Sequence, residues 1–321
     1  MLYPLRFEPL FKRYLWGGRR LGSVLGKSLP AGNDFAESWE VADHGHDQSR
    51  VAAGPLQGAT LGQLVAEQGA ELLGRHAPQP RFPLLFKFLD SSKPLSVQVH
   101  PNDAAAAVLN PPDLGKTEAW LVLHAEPGSD VYAGLKRGFD RAAVEREVAR
   151  GTVELCLNRF EPQVGDCLFI PAGVVHALGA GFVIAEIQQA SNTTFRLYDW
   201  KRVGPDGQPR ALHIEQSLQA IDYHHGPVKP QQPRATDREH VVRLVDCDKF
   251  VLDRWQFDRP QPIGGDDRFH ILTVLAGAVR VEGDVGNEPL KQGETMLLPA
   301  CLGPLTLSPE EPTTLLDMYL P

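Results

Sequence analysis

The sequence predicts a mainly β chain in two domains, each of the sandwich or barrel type. Three observations carry this reading. Short β-type runs recur at close spacing between turn residues. Gly 30 and Pro 27 in 321 residues exceed the usual share and imply many turns. Long alternating strand and helix patterns are absent, as are the glycine-rich fingerprints of dinucleotide and P-loop sites, which argues against a doubly wound nucleotide-binding fold. A length about twice that of a typical domain leaves room for two cores.

Taken in chain order, the first clear element is helical. Thr60-Leu-Gly-Gln63 has capping-box spacing, and Leu61, Leu64, Val65, Leu72 and Leu73 form an apolar stripe that stops at Gly74. Strands are expected at 84–89 and 95–99, then a short helix from Asp103 through an alanine run, then a strand at 119–124. Asp140 caps a further helix with Val144 and Val148 on one face and Gly151 at its end. Residues 167–185 carry no formal charge over 19 positions, close to the length of a membrane span. Pro171, Gly173, Gly179 and Gly181 would leave backbone groups unpaired in lipid, so two strands, 167–170 and 182–187, joined by a turn are expected instead. The Pro- and Gln-rich stretch 225–234 reads as a linker. It divides the chain into an N-terminal part, 1–228, with a few short inserted helices, and a C-terminal part, 229–321. Beyond it, strands are expected at 241–245, 251–257, 269–274, 278–281, 295–298 and 314–319.

A faint internal repeat links the two parts. Gly165-Asp-Cys-Leu-Phe-Ile-Pro-Ala172 matches Gly293-Glu-Thr-Met-Leu-Leu-Pro-Ala300, and Glu118 precedes Val122 by the same step that separates His270 from Val274. The copies then diverge: His176 stands four residues past Ala172, whereas Pro304 stands four past Ala300.

Charge and cysteines narrow the function. With 32 Lys+Arg against 40 Asp+Glu the net charge is −8, and no long basic run offers a nucleic-acid or membrane surface. Cys156, Cys167, Cys247 and Cys301 are too few and scattered for a disulfide framework and lack metal-knuckle spacing. Free thiols and the absence of a signal-like N-terminal segment give the expectation of a cytoplasmic protein. The densest set of potential ligands lies in three segments. Gln98 and His100, two apart in a strand, point to one face; Glu118 opens another strand; His176 follows the Pro171-Ala-Gly turn. Two imidazoles, a carboxylate and an amide oxygen suit Zn²⁺, Fe²⁺ or Mn²⁺, and the residues alone do not choose among them. His44, His46, His224 and His225 sit in polar turns and are read as solvated.

The motifs Phe86-Lys-Phe-Leu-Asp, Leu95-Ser-Val-Gln-Val-His-Pro, Gly115-Lys-Thr-Glu-Ala-Trp, Pro171-Ala-Gly-Val-Val-His-Ala-Leu, Glu186-Ile-Gln-Gln and Arg196-Leu-Tyr-Asp-Trp200 resemble the type I mannose-6-phosphate isomerase family, in particular its short bacterial branch. Tyr14-Leu-Trp-Gly-Gly18 and Glu37-Ser-Trp-Glu40 extend the resemblance over nearly the whole chain. It implies two cupin-like jelly-roll barrels, the second without a metal set, and one Zn²⁺ per chain held by Gln98, His100, Glu118 and His176. It implies Arg196 as the catalytic arginine, Lys116 and Glu186 at proton-transfer or substrate positions, and Lys87 and Ser96 at substrate or phosphate contacts. The implied reaction interconverts mannose 6-phosphate and fructose 6-phosphate, with a small sugar phosphate as partner and no nucleic acid or membrane; the oligomeric state is left open.

Such chemistry needs a base for a carbon-bound proton, an electrophile for the enediolate and a relay for the oxygens. A guanidinium stays protonated at neutral pH, so Arg196 is assigned to anion stabilisation, and Glu186 or a metal-bound hydroxide is the better base. Structural alternatives stand beside these roles: Lys116 as an ion-pair partner of an acid, Arg196 as a partner of Asp199, Lys87 and Ser96 as plain strand residues. Trp16, Trp39, Trp120 and Trp200 read as core and pocket walls. A cupin oxygenase and a non-catalytic sugar-phosphate sensor are the competing functions.

Overall fold

The computed structural model describes residues 1–204 and 207–321. Its sheets are antiparallel and stack in layers, so the mainly β expectation holds, and the arrangement is consistent with a cupin-like fold. A six-stranded sheet runs in the order Cys167–Ile170, Glu118–Ala125, Phe182–Gln189, Leu84–Ser91, Phe35–Val41, Leu10–Gly18. Facing it is a five-stranded sheet: Leu157–Phe160, Val131–Leu135, His176–Leu178, Val97–Val99, Phe195–Tyr198. Trp120, Val122 and Leu89 from the first sheet meet Val131, Ala133 and Leu178 from the second in one core.

The remaining half repeats the arrangement. An eight-stranded sheet contains Val241–Asp246, Val251–Phe257, Thr313–Tyr319, His270–Ala276 and Thr295–Leu298 side by side. A four-stranded sheet of Gln261–Ile263, Leu305–Pro309, Ala278–Val281 and Leu290–Lys291 covers it through Leu272, Val274, Leu307 and Val279. Between the halves the backs of the two large sheets share a core in which Phe86, Phe88, Ala185 and Ile187 meet Leu252, Ile271, Leu316 and Met318. Strands Leu84–Ser91 and Phe182–Gln189 are therefore buried on both faces along their whole length. Alternation decides what each face holds: Phe86 and Phe88 look toward the other half, while Lys87 looks into the front cavity.

The expected helices are present. Leu61–Leu73 carries the Thr60/Gln63 capping box, Asp103–Ala107 follows Asn102, and Arg141–Arg150 runs from an Asp140 cap to a left-handed Gly151. Two further helices, Arg20–Leu25 and Ile214–Ala220, have no side-chain cap, which is why capping logic misses them. The uncharged stretch 167–185 forms three strands rather than two, since His176–Leu178 pairs separately with Val131–Leu135 and Val97–Val99. Among the described residues no helix is long and apolar enough to cross a membrane, and all four cysteines are free thiols.

In the stretch 225–234, residues 225–233 form no helix or strand, Arg234 opens the short strand Arg234–Ala235, and the Val228 and Gln231 amides donate to Ala133 and Cys167 carbonyls. Strand Leu5–Glu8 crosses the expected division, pairing with Thr295–Leu298 on one side and Arg50–Val51 on the other.

Candidate active site

A cavity of about 290 Å³ opens between the six- and five-stranded sheets of the N-terminal half. Its wall is built by period-2 alternation. On Val97–Val99 and its flanks, Val97 and Val99 point back into a separate core while Ser96, Gln98 and His100 point forward. Leu197 likewise turns away and Arg196 forward, directly across from Gln98. Lys87 and Glu186 face each other on neighbouring strands, with Trp120 beside Glu186.

At the cavity floor His100, Glu118 and His176 bring ligand atoms within 4.8 Å of one another, all three side chains buried. His100 Nε2 is 3.5 Å from Glu118 Oε2, and His176 Nε2 is 3.4 Å from Oε1. Each imidazole donates its other nitrogen to a backbone carbonyl: His100 Nδ1 to Thr193 at 3.0 Å, His176 Nδ1 to Val174 at 2.9 Å. A carbonyl only accepts, so both protons sit on Nδ1 and both Nε2 lone pairs face the nest, the usual second-layer arrangement of metal-binding histidines. Neither Glu118 oxygen has a hydrogen-bond partner among the described residues. Two neutral imidazoles and a buried carboxylate, held only by the Lys116 ion pair and the two rings, fit a divalent metal ion. The cation beside this nest is Lys116, whose Nζ lies 2.8 Å from Glu118 Oε2 and 3.2 Å from His100 Nε2. Burial and the Lys116 charge push His100 down to about 3. Burial opposes the charge on Glu118, but Lys116 and His100 hold it well below the usual carboxylate range.

Gln98 lies at the edge of the nest. Its Nε2 is 3.3 Å from His176 Nε2, and its Oε1 accepts from Ser96 Oγ at 3.1 Å.

Above the nest, Glu186 stands between two cations, Lys87 at 3.2 Å and Lys116 at 3.7 Å. Burial, opposed by Lys87 and reinforced by the Glu118 charge, pushes Glu186 up to about 7. Lys87 also lies 3.6 Å from Glu37, which accepts from Trp39 Nε1 at 2.5 Å. Burial would discharge Lys87, but Glu186 and Glu37 together raise it above the ordinary lysine value. At the other side, Arg196 donates to the Ala211 carbonyl at 2.8 Å, and its Nε has no partner among the described residues. Asp199, its expected alternative partner, is taken by Arg202 and by Arg210, the latter through two bonds of 2.7 and 2.5 Å. Arg196 therefore keeps an uncommitted cationic face in the cavity.

Residues 5–119 match the catalytic-domain model of type I phosphomannose isomerase. The chain is 33% identical to the mannose-6-phosphate isomerase ManA of Bacillus subtilis over 311 residues, 95% of each chain. The chain belongs to the type I phosphomannose isomerases. A Streptococcus mutans mannose-6-phosphate isomerase is likewise 33% identical over 93% of each chain. A crystal structure of mannose 6-phosphate isomerase from Bacillus subtilis, 29% identical, superposes with a TM-score of 0.90 over 99% of this chain and 100% of that one.

In this type I phosphomannose isomerase the sequence-predicted residues all converge. Lys87, Ser96, Gln98, Lys116, Glu118, Glu186 and Arg196 line the cavity, and His100 and His176 complete the nest behind Glu118. Sequence reasoning missed Asn192, Thr194 and Arg210 in the wall, and it quoted Tyr14 and Glu37 without a role. For Glu37 the signal was available, because it sits two positions from Trp39 in a strand. Arg210 and Asn192 lie outside regular structure, where spacing carries no facing information. His44, read as solvated, is half-buried with Nε2 3.5 Å from Asp113. Asp113 also accepts from Ser191 Oγ and Thr193 Oγ1 at 2.8 and 2.7 Å, and these contacts hold it well below the usual range against the effect of burial. It fixes the loop whose Thr193 carbonyl orients His100.

Proposed function

We propose that this chain interconverts mannose 6-phosphate and fructose 6-phosphate. One observation carries the reading: a single open cavity brings together a metal-type nest, a buried carboxyl poised near neutrality and the free edge of an arginine. The relatives, named for this activity, support it.

A divalent ion held by His100, Glu118 and His176, with Gln98 as a fourth donor, would supply a Lewis acid for the sugar oxygens; we take it to be Zn²⁺, one per chain. The chain's own groups supply the rest. Glu186 takes the proton from C2 of the open-chain aldose and returns it to C1, since a carboxyl near neutrality can do both. The electron pair left on carbon forms the enediolate, whose negative charge Arg196 faces without giving up its own proton. Lys116 moves a proton between the two sugar oxygens, and Lys87 holds Glu186 in place. Ser96 binds toward the phosphate. We further read 1–228 and 229–321 as two cupin-like barrels, with the first strand lent across the division.

The test is fructose 6-phosphate formation before and after chelation and with zinc restored. Activity that falls with the chelator and returns with zinc is the expected result; an inert, folded, metallated protein would sink the reading. Glu186→Gln is expected to lower kcat by about 10²-fold or more, and an undiminished rate removes its carboxylate from the chemistry.

A further inference from the structure

Strand register carries the active cavity's plan into the other half. Glu118 pairs with Ile170, just before Pro171, and His270 pairs with Leu298, just before Pro299. Two residues further on, Trp120 faces Glu186 and Leu272 faces Asp317. One strand beyond, Glu186 faces Lys87 and Asp317 faces Asp253. His270, Asp317 and Asp253 thus hold the places of Glu118, Glu186 and Lys87, and they line a cavity of about 180 Å³ of their own.

Structural need alone does not explain these side chains. The same inward face is otherwise apolar, with Trp255, Leu272, Val274 and Leu315 in the core. Asp253 and Asp317 are directly opposed across neighbouring strands at 4% and 2% exposure, and opposed like charges are unfavourable. Well-packed apolar residues would serve stability as well or better. Arg243 grips Asp253 through two bonds of 2.9 and 3.1 Å, and Tyr319 donates to it at 2.9 Å. His270 spends both nitrogens on carboxylates, Nδ1 on Asp317 at 2.8 Å and Nε2 on Asp266 at 3.2 Å. No imidazole lone pair remains, so this cavity is unsuited to a metal ion.

The open valences define its complement. At depth, the hydrogen bond of Asp317 runs through Oδ1 to His270, which leaves its second oxygen to the cavity it lines. Toward solvent, Arg238 and Arg268 lie over the Trp255 and Tyr319 rings, 5.2 and 5.5 Å from the ring centres. Each spends Nη1 nearby, Arg238 on the Pro262 carbonyl at 3.2 Å and Arg268 on Asp266 at 3.4 Å. Acceptors inside and two guanidinium edges outside suit a molecule with hydroxyls at one end and a dianion at the other. The geometry points to a second ligand site in the C-terminal half for a small sugar phosphate, its hydroxyls on Asp317 and its phosphate on Arg238 and Arg268. The site is independent of the catalytic reading.

Calorimetric titration of the metal-loaded protein with glucitol 6-phosphate, which has no carbonyl to isomerise, tests it. The expected result is two sites per chain. Arg196→Gln should weaken one of them. Arg268→Gln, at a side chain 26% exposed, should weaken the other about tenfold or more at unchanged basal turnover. A single site abolished by Arg196→Gln, or two sites indifferent to both Arg268→Gln and Arg238→Gln, overturns the proposal. Inorganic phosphate binding there as tightly as the sugar phosphate would overturn the assignment to sugars.

Discussion

At the scale of single residues, the nest depends on a side chain that never touches it. Asp113 fastens Ser191 and Thr193, and the Thr193 carbonyl sets the tautomer and tilt of His100. Asp113→Asn keeps the shape but weakens the grip on that loop. Metal affinity, read by competition with a chromophoric chelator, should fall by up to about tenfold, the low end for groups that orient metal ligands. An unchanged affinity would show that the loop holds its position without the carboxylate. Lys87 makes a harsher case, since Glu186 and Glu37 are both buried against it. Lys87→Met should cost about 3–5 kcal/mol in denaturant unfolding, because it strands buried carboxylates. The chemistry at this scale was legible in the sequence wherever residues share a strand face, as Ser96, Gln98 and His100 do. Asp113 and Arg210 were not legible, because their partners Thr193 and Asp199 come from irregular chain whose direction no spacing rule gives.

At the scale of elements, local signals and tertiary burial divide the work. The helix Leu61–Leu73 announces itself through Thr60 and Gln63, which exchange bonds in both directions. Thr60→Ala is expected to lower stability by about 1 kcal/mol in thermal or denaturant unfolding. Helix Ile214–Ala220 has no such signature and is held through Leu218 in the core behind the five-stranded sheet. Strands follow the same division. Val251–Phe257 and Cys167–Ile170 match the sequence expectation at both ends. His176–Leu178, three residues between a proline turn and a glycine, is too short to show a period. It exists because two neighbouring strands already offer it hydrogen bonds.

For the whole molecule, the two halves share one interior. The core between the large sheets draws residues from both, and Lys249 of the C-terminal half lies 2.8 Å from Asp103, whose other oxygen accepts from Gly115 beside Lys116. Differential scanning calorimetry should therefore give one cooperative transition, and two resolved transitions would show that the halves unfold separately. Stability should also respond to pH through His270. Burial opposes its charge, but Asp317 and Asp266 raise it from an ordinary 6.5 to about 9. Its contribution is complete below about 6.5 and is lost as pH rises through about 9. The melting temperature should fall across that window, and His270→Gln should flatten the fall. Sequence periodicity foretold the layers but not their mutual burial, because a strand covered on both faces reads only as an apolar run.

The pairing of Leu5–Glu8 with Thr295–Leu298 also sets an order of events during synthesis. Strand Leu5–Glu8 leaves the ribosome well before the partner it pairs with. At roughly 5–20 residues per second the wait is about 15–60 s. Through that interval Leu5, buried in the finished protein, has no partner strand on that side. A nascent chain halted before residue 295 should leave this N-terminal segment open to proteolysis, and release of the completed chain should close it.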